Sequence, residues 1–380
     1  MSGEVWKFCR ALLLLTLPWG VLAQVEYAGS VVEDQTGRPI PFVNIGVVGR
    51  SLGTVTDADG SFLLRLPPNR VSDTDLIRIS SLGYEPLVLP FARFQQQDGK
   101  VFRLKESPIS LQEVVLTNLP AYQVEEEAGY PGLTGKGIGY WKDSAALGGE
   151  LATLIRVDKG LRRLNALFFE VLYNSSDSLK LRLNFYIPMP GSAYPGKNLN
   201  TSGRNILYTL KKGTGLAVID LEPYDLWVRD DFVVSMELLQ VYGSKTVGLS
   251  LPAGSSGRST SFRRYASQGN WEILDGSAVG FYFQSTYYTD NPRRLPKPRV
   301  VRKKLKNQRE ISGFVFFAGR PLQGASVKNY TINEDATTDA RGRYRLKVSK
   351  GDILGISYPG FKALVVEVEE PKNFNFQMQQ

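Results

Sequence analysis

The stretch Gly53–Leu64, GTVTDADGSFLL, constrains this chain more than any other. Thr54 and Thr56 favour strand, Asp57-Ala58-Asp59-Gly60 supplies a tight turn, and Phe62 and Leu64 resume a period-two apolar pattern. Asp57 and Gly60 are therefore read as a hairpin turn, with Gly60 at the position that needs positive φ. The same order returns as Thr338-Asp339-Ala340-Arg341-Gly342-Arg343-Tyr344-Arg345-Leu346, so Asp339 and Gly342 form the second turn. In each copy the Asp stands 20 residues after the Gly of a Gly-Arg-Pro turn, Gly37 and Gly319. Two small β-units of one kind therefore bracket the chain.

The chemistry open to the chain is narrow. Its 380 residues contain no histidine and one cysteine, Cys9, which excludes the usual zinc sites and both Ser-His-Asp and Cys-His catalysis. No lysine follows a serine at the Ser-x-x-Lys spacing. Lys7 and Arg10 precede an apolar run, Ala11 to Leu22, that is too short to span a bilayer. Residues 1–23 are read as a signal peptide cleaved after Ala23, and no later segment is long enough for a transmembrane helix. The expected destination is the periplasm, outer membrane or cell surface, with peripheral association with the outer membrane as one form of it. Cys9 would leave with the signal.

The formal charge of +9 is local. Arg293, Arg294, Lys297, Arg299, Arg302, Lys303, Lys304, Lys306 and Arg309 carry nine positive charges with no acid among them. In an exported protein this reads as a solvated basic linker or a weak patch for anionic lipopolysaccharide or acidic glycan, and not as a nucleic-acid site.

Taken in order, 24–105 is expected to hold about seven short strands, 106–139 a linker rich in Pro, Gly and Glu, 140–289 a larger sandwich, 290–309 the basic linker, and 310–380 the second small unit. In the middle region Leu179, Leu181, Leu183, Phe185 and Ile187 alternate with Lys180, Arg182, Asn184 and Tyr186, predicting one buried face and one largely polar face. The fold class is all-β: two small seven-stranded sandwiches flanking a larger jelly-roll-like one.

The order Thr-Gly-Arg-Pro-Ile-Pro-Phe-Val-Asn-Ile, Gly-Thr-Val-Thr-Asp-Ala-Asp-Gly-Ser-Phe, Ser-Ser-Leu-Gly-Tyr and Leu111-Gln112-Glu113-Val114-Val115 resembles the carboxypeptidase regulatory-like domain of Bacteroidota envelope proteins. The resemblance implies a transthyretin-like fold without catalytic residues. Such units often precede the plug of TonB-dependent receptors, and Leu111 to Leu116 is similar to the start of that junction. With no barrel sequence after it, an accessory role is expected.

Asp57-x-Asp59-Gly60 also invites a calcium reading, but the later acidic ligand is missing and Arg341 stands in the place of Asp59 in the second copy. No metal or cofactor is expected. The reading adopted is a non-catalytic binding or scaffolding module whose partner is an envelope protein or a glycan. One alternative is a glycan-binding module using Trp141, Trp227 and Trp271 of the middle sandwich as an aromatic platform. The other is a secreted hydrolase working with carboxylates alone, for which Asp230, Asp231 and Glu237 come to mind. Asp230 and Asp231, adjacent on a strand, would point to opposite faces.

Overall fold

The structure is a computed structural model that describes residues 24–97, 100–107, 119–130, 136–139, 147–243, 247–254, 259–291, 294, 308–332, 334–359, 361 and 364–378. The described residues are all-β, with one short helix at Phe91–Gln96 and one 3-10 turn at Glu222–Tyr224. The chain divides into two compact units, one comprising residues up to 119 with 126–287, the other 120–125 with 288–380.

The N-terminal domain of the first unit contains seven strands in two sheets. Ser61–Leu66, Val25–Glu33 and Val101–Leu104 form one, with the last pair parallel. Gly53–Val55, Asn44–Val47, Leu76–Ser80 and Leu87–Pro90 form the other. Alternation sends Val31, Leu64 and Phe102 from the first sheet and Ile45, Ile77 and Ile79 from the second into one buried core, which the helix closes with Phe91 and Phe94.

Residues 309–378 of the second unit repeat this strand order. Arg343–Val348, Arg309–Phe317 and Phe376–Gln377 form a sheet whose last pair is again parallel, and Glu334–Thr337, Ser326–Asn329, Ile353–Ser357 and Leu364–Glu367 form the other. The repetition extends to single bonds. Gly60 and Gly342 lie at φ +78° and +71°, and their N–H groups donate to Asp57 and Asp339 carbonyls at 3.1 and 2.8 Å. A Cβ on Gly60 would sit 2.9 Å from Pro39 and the Val31 carbonyl, and one on Gly342 2.8 Å from Pro321 and the Val315 carbonyl. Only glycine fits either turn.

Beside each turn a threonine hydroxyl ties down the segment that joins the two sheets. Thr56 Oγ1 accepts from Val43 N at 2.8 Å and donates to the Ile40 carbonyl at 3.0 Å. Thr338 Oγ1 accepts from Ala325 N at 2.8 Å and donates to the Leu322 carbonyl at 2.6 Å. Both threonines are buried, so these peptide groups have no access to water as a substitute partner.

Among the described residues, the middle region from 122 to 289 shows three sheets. The largest runs Pro195–Asn198, Ser178–Pro188, Phe232–Tyr242, Glu150–Ile155, Ser261–Arg264 and Glu272–Leu274, with Ile206–Lys211 also pairing Ser178–Pro188. A second contains Leu216–Asp220, Arg162–Glu170, Phe281–Thr289 and Tyr122–Tyr130, with Trp227–Val228 on Arg162–Glu170. Tyr173–Asn174, Leu249–Gly254, Ala278–Val279 and Lys136–Gly139 make the third. Leu181, Leu183, Phe185 and Met236 meet Leu167, Phe169, Phe283 and Leu251 in a shared core.

Two expectations change. Strands Tyr122–Tyr130 and Lys136–Gly139 lie inside the stretch read as linker. The acidic run conceals a period in which Ala128 is buried and Glu126 is placed to pair at 2.7 Å with the buried Arg162. The polar face of Ser178–Pro188 is also not solvent-facing, because Arg182, Asn184 and Tyr186 are buried. Ile187, expected inside, is 51% exposed where a register shift interrupts the pairing between Tyr186 and Pro188.

Thr56→Val and Thr338→Val each strand one buried N–H and one carbonyl while keeping the shape. Each is expected to cost about 1–3 kcal/mol in the urea unfolding transition that includes it. Unchanged stability would show that the hydroxyls contribute nothing.

Candidate functional site

The four central strands of the largest sheet place four charges in a lateral row. Arg182 lies opposite Glu237, Glu237 opposite Glu150, and Glu150 opposite Arg264. The face they share is the one turned away from Leu181, Leu183, Met236 and Leu151 of the main core. The signs run plus, minus, minus, plus. Two carboxylates directly opposite on neighbouring strands repel, and the outer arginines offset that repulsion from either side.

Three of its four members are closed to solvent, Arg182, Glu237 and Glu150 being 4%, 1% and 0% exposed, and Arg264 is half-buried. Arg182 makes a bidentate pair with Glu237, Nε to Oε2 at 2.8 Å and Nη2 to Oε1 at 2.9 Å. Asn184 Nδ2 donates to Glu237 Oε2 at 2.8 Å. Arg264 donates from Nε (2.9 Å) and Nη2 to Glu150 Oε1, while Tyr186 Oη (2.9 Å) and Ser235 Oγ donate to Glu150 Oε2. Burial alone would push the Glu237 carboxyl up, but the charge and hydrogen bonds of Arg182, with the Asn184 amide, outweigh it and hold the group below its usual range. Burial, reinforced by the neighbouring Glu150 charge, holds the Tyr186 phenol well above its usual value.

Arg182 also reaches beyond the sheet. Its Nη1 donates to the Phe42 carbonyl at 2.9 Å, joining the sandwich to the N-terminal domain. Phe42, Val55 and Leu239 form a buried cluster, with Leu147 and Leu207 packed against it. Around it Gly49 N donates to the Gln268 carbonyl at 2.9 Å, Asn270 Nδ2 to the Gly49 carbonyl at 3.3 Å, and Gln240 Nε2 to Asp57 Oδ1 at 3.3 Å. Phe42 lies at φ +58°, a conformation costly for a side chain of this size. Phe42 N donates to the Thr56 carbonyl at 3.2 Å, and the matching bond in the other copy, Gly324 N to the Thr338 carbonyl, places Gly324 at this position with φ +83°. The strain at Phe42 is thus specific to the domain that uses the ring in an interface.

Further along the same face lies a cleft of about 470 Å³, bordered by Tyr186, Met189, Tyr194, Arg264, Asn270 and Trp271. The Arg264 guanidinium lies 4.4 Å from the Trp271 ring centroid, and Tyr186 meets that ring edge-on at 6.1 Å. Tyr194 packs on Phe262 at 5.2 Å.

Of the aromatic platform expected from sequence, Trp271 borders this cleft. Trp227 belongs to another sheet, paired opposite Arg163, and Trp141 lies outside the described residues. Of the basic run, Arg294 and Arg309 are exposed and described, Arg309 in register with Val348. Arg293, Lys297, Arg299, Arg302, Lys303, Lys304 and Lys306 lie outside the described residues, as do the signal segment and Leu111–Leu116. Asp57, Gly60, Asp339 and Gly342 form the two hairpin turns. The acids considered for hydrolysis do not converge: Asp231 accepts from Val157 N at 2.9 Å, Asp230 lies 3.6 Å from Lys159, and Glu237 is enclosed by Arg182. Glu150 and Arg264 were missed, and their only signal was a lone charge at the end of a short strand. Among the described residues no cluster of three or more His, Cys, Asp or Glu could hold a metal, and no helix is long and apolar enough to cross a membrane.

The fold and the site's geometry can be set beside known proteins. Residues 27–116 match the family model described as CarboxypepD_reg-like domain. A 70-residue segment is 40% identical to the TonB-dependent receptor SusC of Bacteroides thetaiotaomicron, covering 18% of this chain and 6% of the receptor's length. Among solved structures, the cysteine protease and lectin-like domains of Cwp84 from Clostridium difficile align over 70% of this chain and 63% of that one, with 11% identity and a TM-score of 0.32. BcpA, the major pilin subunit of Bacillus cereus, aligns over 93% and 99%, with 7% identity and a TM-score of 0.16. At those scores neither likeness carries a functional argument.

Removing one partner of the row should be far worse than removing two. Arg182→Met is expected to cost about 3–5 kcal/mol, and Arg182→Met with Glu237→Met together much less, read by denaturant unfolding. Equal costs would contradict the pairing. Because Glu237 is held below its usual range, its contribution is complete above the unfolded carboxyl value of about 4.3 and is lost as pH falls through the lower folded value. Glu237→Gln should therefore flatten the loss of stability with falling pH below about 4.3; an unchanged acid limb would assign that loss to other groups.

Proposed function

We propose that this chain is an exported, non-catalytic envelope protein that works as a binding or scaffolding module. The observation that carries this reading is the use made of the buried charges. Each carboxylate of the row is occupied by an arginine and by amide or hydroxyl donors, and Arg182 spends its remaining reach on a backbone carbonyl of the neighbouring domain. Arg182 thereby ties two domains together, and each carboxylate of the row is engaged by these donors. The CarboxypepD_reg-like match over residues 27–116 supports the same reading. The repeated strand order and hairpin bonds of residues 309–378 support a second domain of that type. Export rests on the N-terminal pattern of Lys7, Arg10 and the apolar run to Leu22.

Cell fractionation followed by N-terminal sequencing tests export. The expected product is a chain beginning at Gln24 in the envelope or periplasmic fraction; a cytoplasmic chain that retains residues 1–23 would contradict it. The purified protein, incubated with polysaccharides and peptides, is expected to release neither reducing ends nor free amines. Turnover that co-purifies with the folded chain would overturn the non-catalytic assignment.

A further inference from the structure

The charge row and the cleft share one residue. Arg264 is fixed from behind by Glu150 and sets its guanidinium over the Trp271 ring, 4.4 Å from the centroid, while Tyr186, bonded to the same carboxylate, buttresses that ring edge-on. Trp271 is therefore a half-buried indole whose orientation is set by buried neighbours before any ligand arrives, which lowers the cost of ordering it on binding. Tyr194 supplies a second half-buried ring at the border, and Asn270 is the polar side chain next to Trp271. The volume of about 470 Å³ falls among clefts that take small ligands, which span about 300–1,000 Å³.

Aromatic walls with a few polar groups suit a ligand that has apolar C–H faces and a periphery of hydroxyls. The charges decide which kind. Arg264 is matched by Glu150, and Arg182 by Glu237, so the row sums to zero and offers no surplus charge to draw in an anion.

We propose that this cleft binds a pyranose ring of an uncharged glycan, with the sugar's apolar face against Trp271 and its hydroxyls toward Asn270. The inference rests on the binding-module reading above and gives it a site and a ligand class. Trp227, on a different sheet, plays no part in it.

The test is calorimetric titration of the full-length mature chain with maltohexaose, cellohexaose, xylohexaose and mannohexaose, with hexagalacturonate as the acidic comparison. Each is run at about 0.05 M and about 0.5 M salt, and the sugar is recovered afterwards by chromatography. The expected result is salt-independent binding of at least one uncharged oligosaccharide. Trp271→Ala should weaken it about tenfold or more, equivalent to about 1.4 kcal/mol, Trp271→Phe should restore part of it, and Trp227→Ala should leave it unchanged. Near-ultraviolet circular dichroism checks that each variant folds, and Tyr194→Ala serves as the cleft variant if Trp271→Ala does not. The proposal is overturned by no binding of any uncharged sugar, by binding indifferent to both cleft variants, or by binding of hexagalacturonate alone that vanishes at high salt. Binding with the sugar recovered intact supports both the site and the non-catalytic reading. Binding with the sugar recovered cleaved keeps the site and refutes the non-catalytic reading.

Discussion

A guanidinium buried under a domain interface must find partners on every side, and Arg182 finds them in two domains. Glu237 takes two of its N–H groups and the Phe42 carbonyl a third. The pair cannot be loosened from one side without leaving a buried charge uncompensated, so the sheet register, the row and the seating of the N-terminal domain depend on one another. Glu150 extends the constraint to Arg264 and through it to the cleft wall. A charge row thus sits where most sandwiches would bury apolar residues, and what it contributes is geometry more than net stability.

The two small domains show what the interface adds to a common design. Both use an Asp-x-x-Gly hairpin closed by the same bonds, and both tie down the segment between their sheets through a buried threonine hydroxyl. They part at one position. The domain of residues 309–378 has Gly324 where positive φ is needed, while the N-terminal domain has Phe42. The backbone cost there, about 1–3 kcal/mol, is offset by a ring packed among Val55, Leu239, Leu147 and Leu207 and by a carbonyl aimed at Arg182.

The hairpins were legible because turn chemistry is local: a glycine at positive φ and an aspartate three residues before it leave a mark in any sequence. Long alternating strands such as Ser178–Pro188 were legible for the same reason. The row was not. Its four members are separated by up to 114 residues, and they meet only through cross-strand register, which one sequence does not encode in any short window. Arg182 and Asn184 looked like an exposed face because nothing nearby in sequence announces the domain that covers them. Glu150–Ile155 lacks alternation and Ser261–Arg264 is short, so both strands were missed. Trp271 was picked out as an aromatic, but the Arg264 and Tyr186 that orient it were not. Glu126 was lost in an acidic run, although its pairing with Arg162 makes it part of a strand.

The central claim is that the charge row fuses the N-terminal domain and the sandwich into one cooperative body. Native-state hydrogen exchange measures it directly. The account predicts that the slowest amides of Asn44–Val47 and of Phe232–Tyr242 open with the same free energy and the same denaturant dependence. If the Asn44–Val47 amides exchange through a separate, cheaper opening while Phe232–Tyr242 stays protected, the two domains are merely adjacent and the account fails.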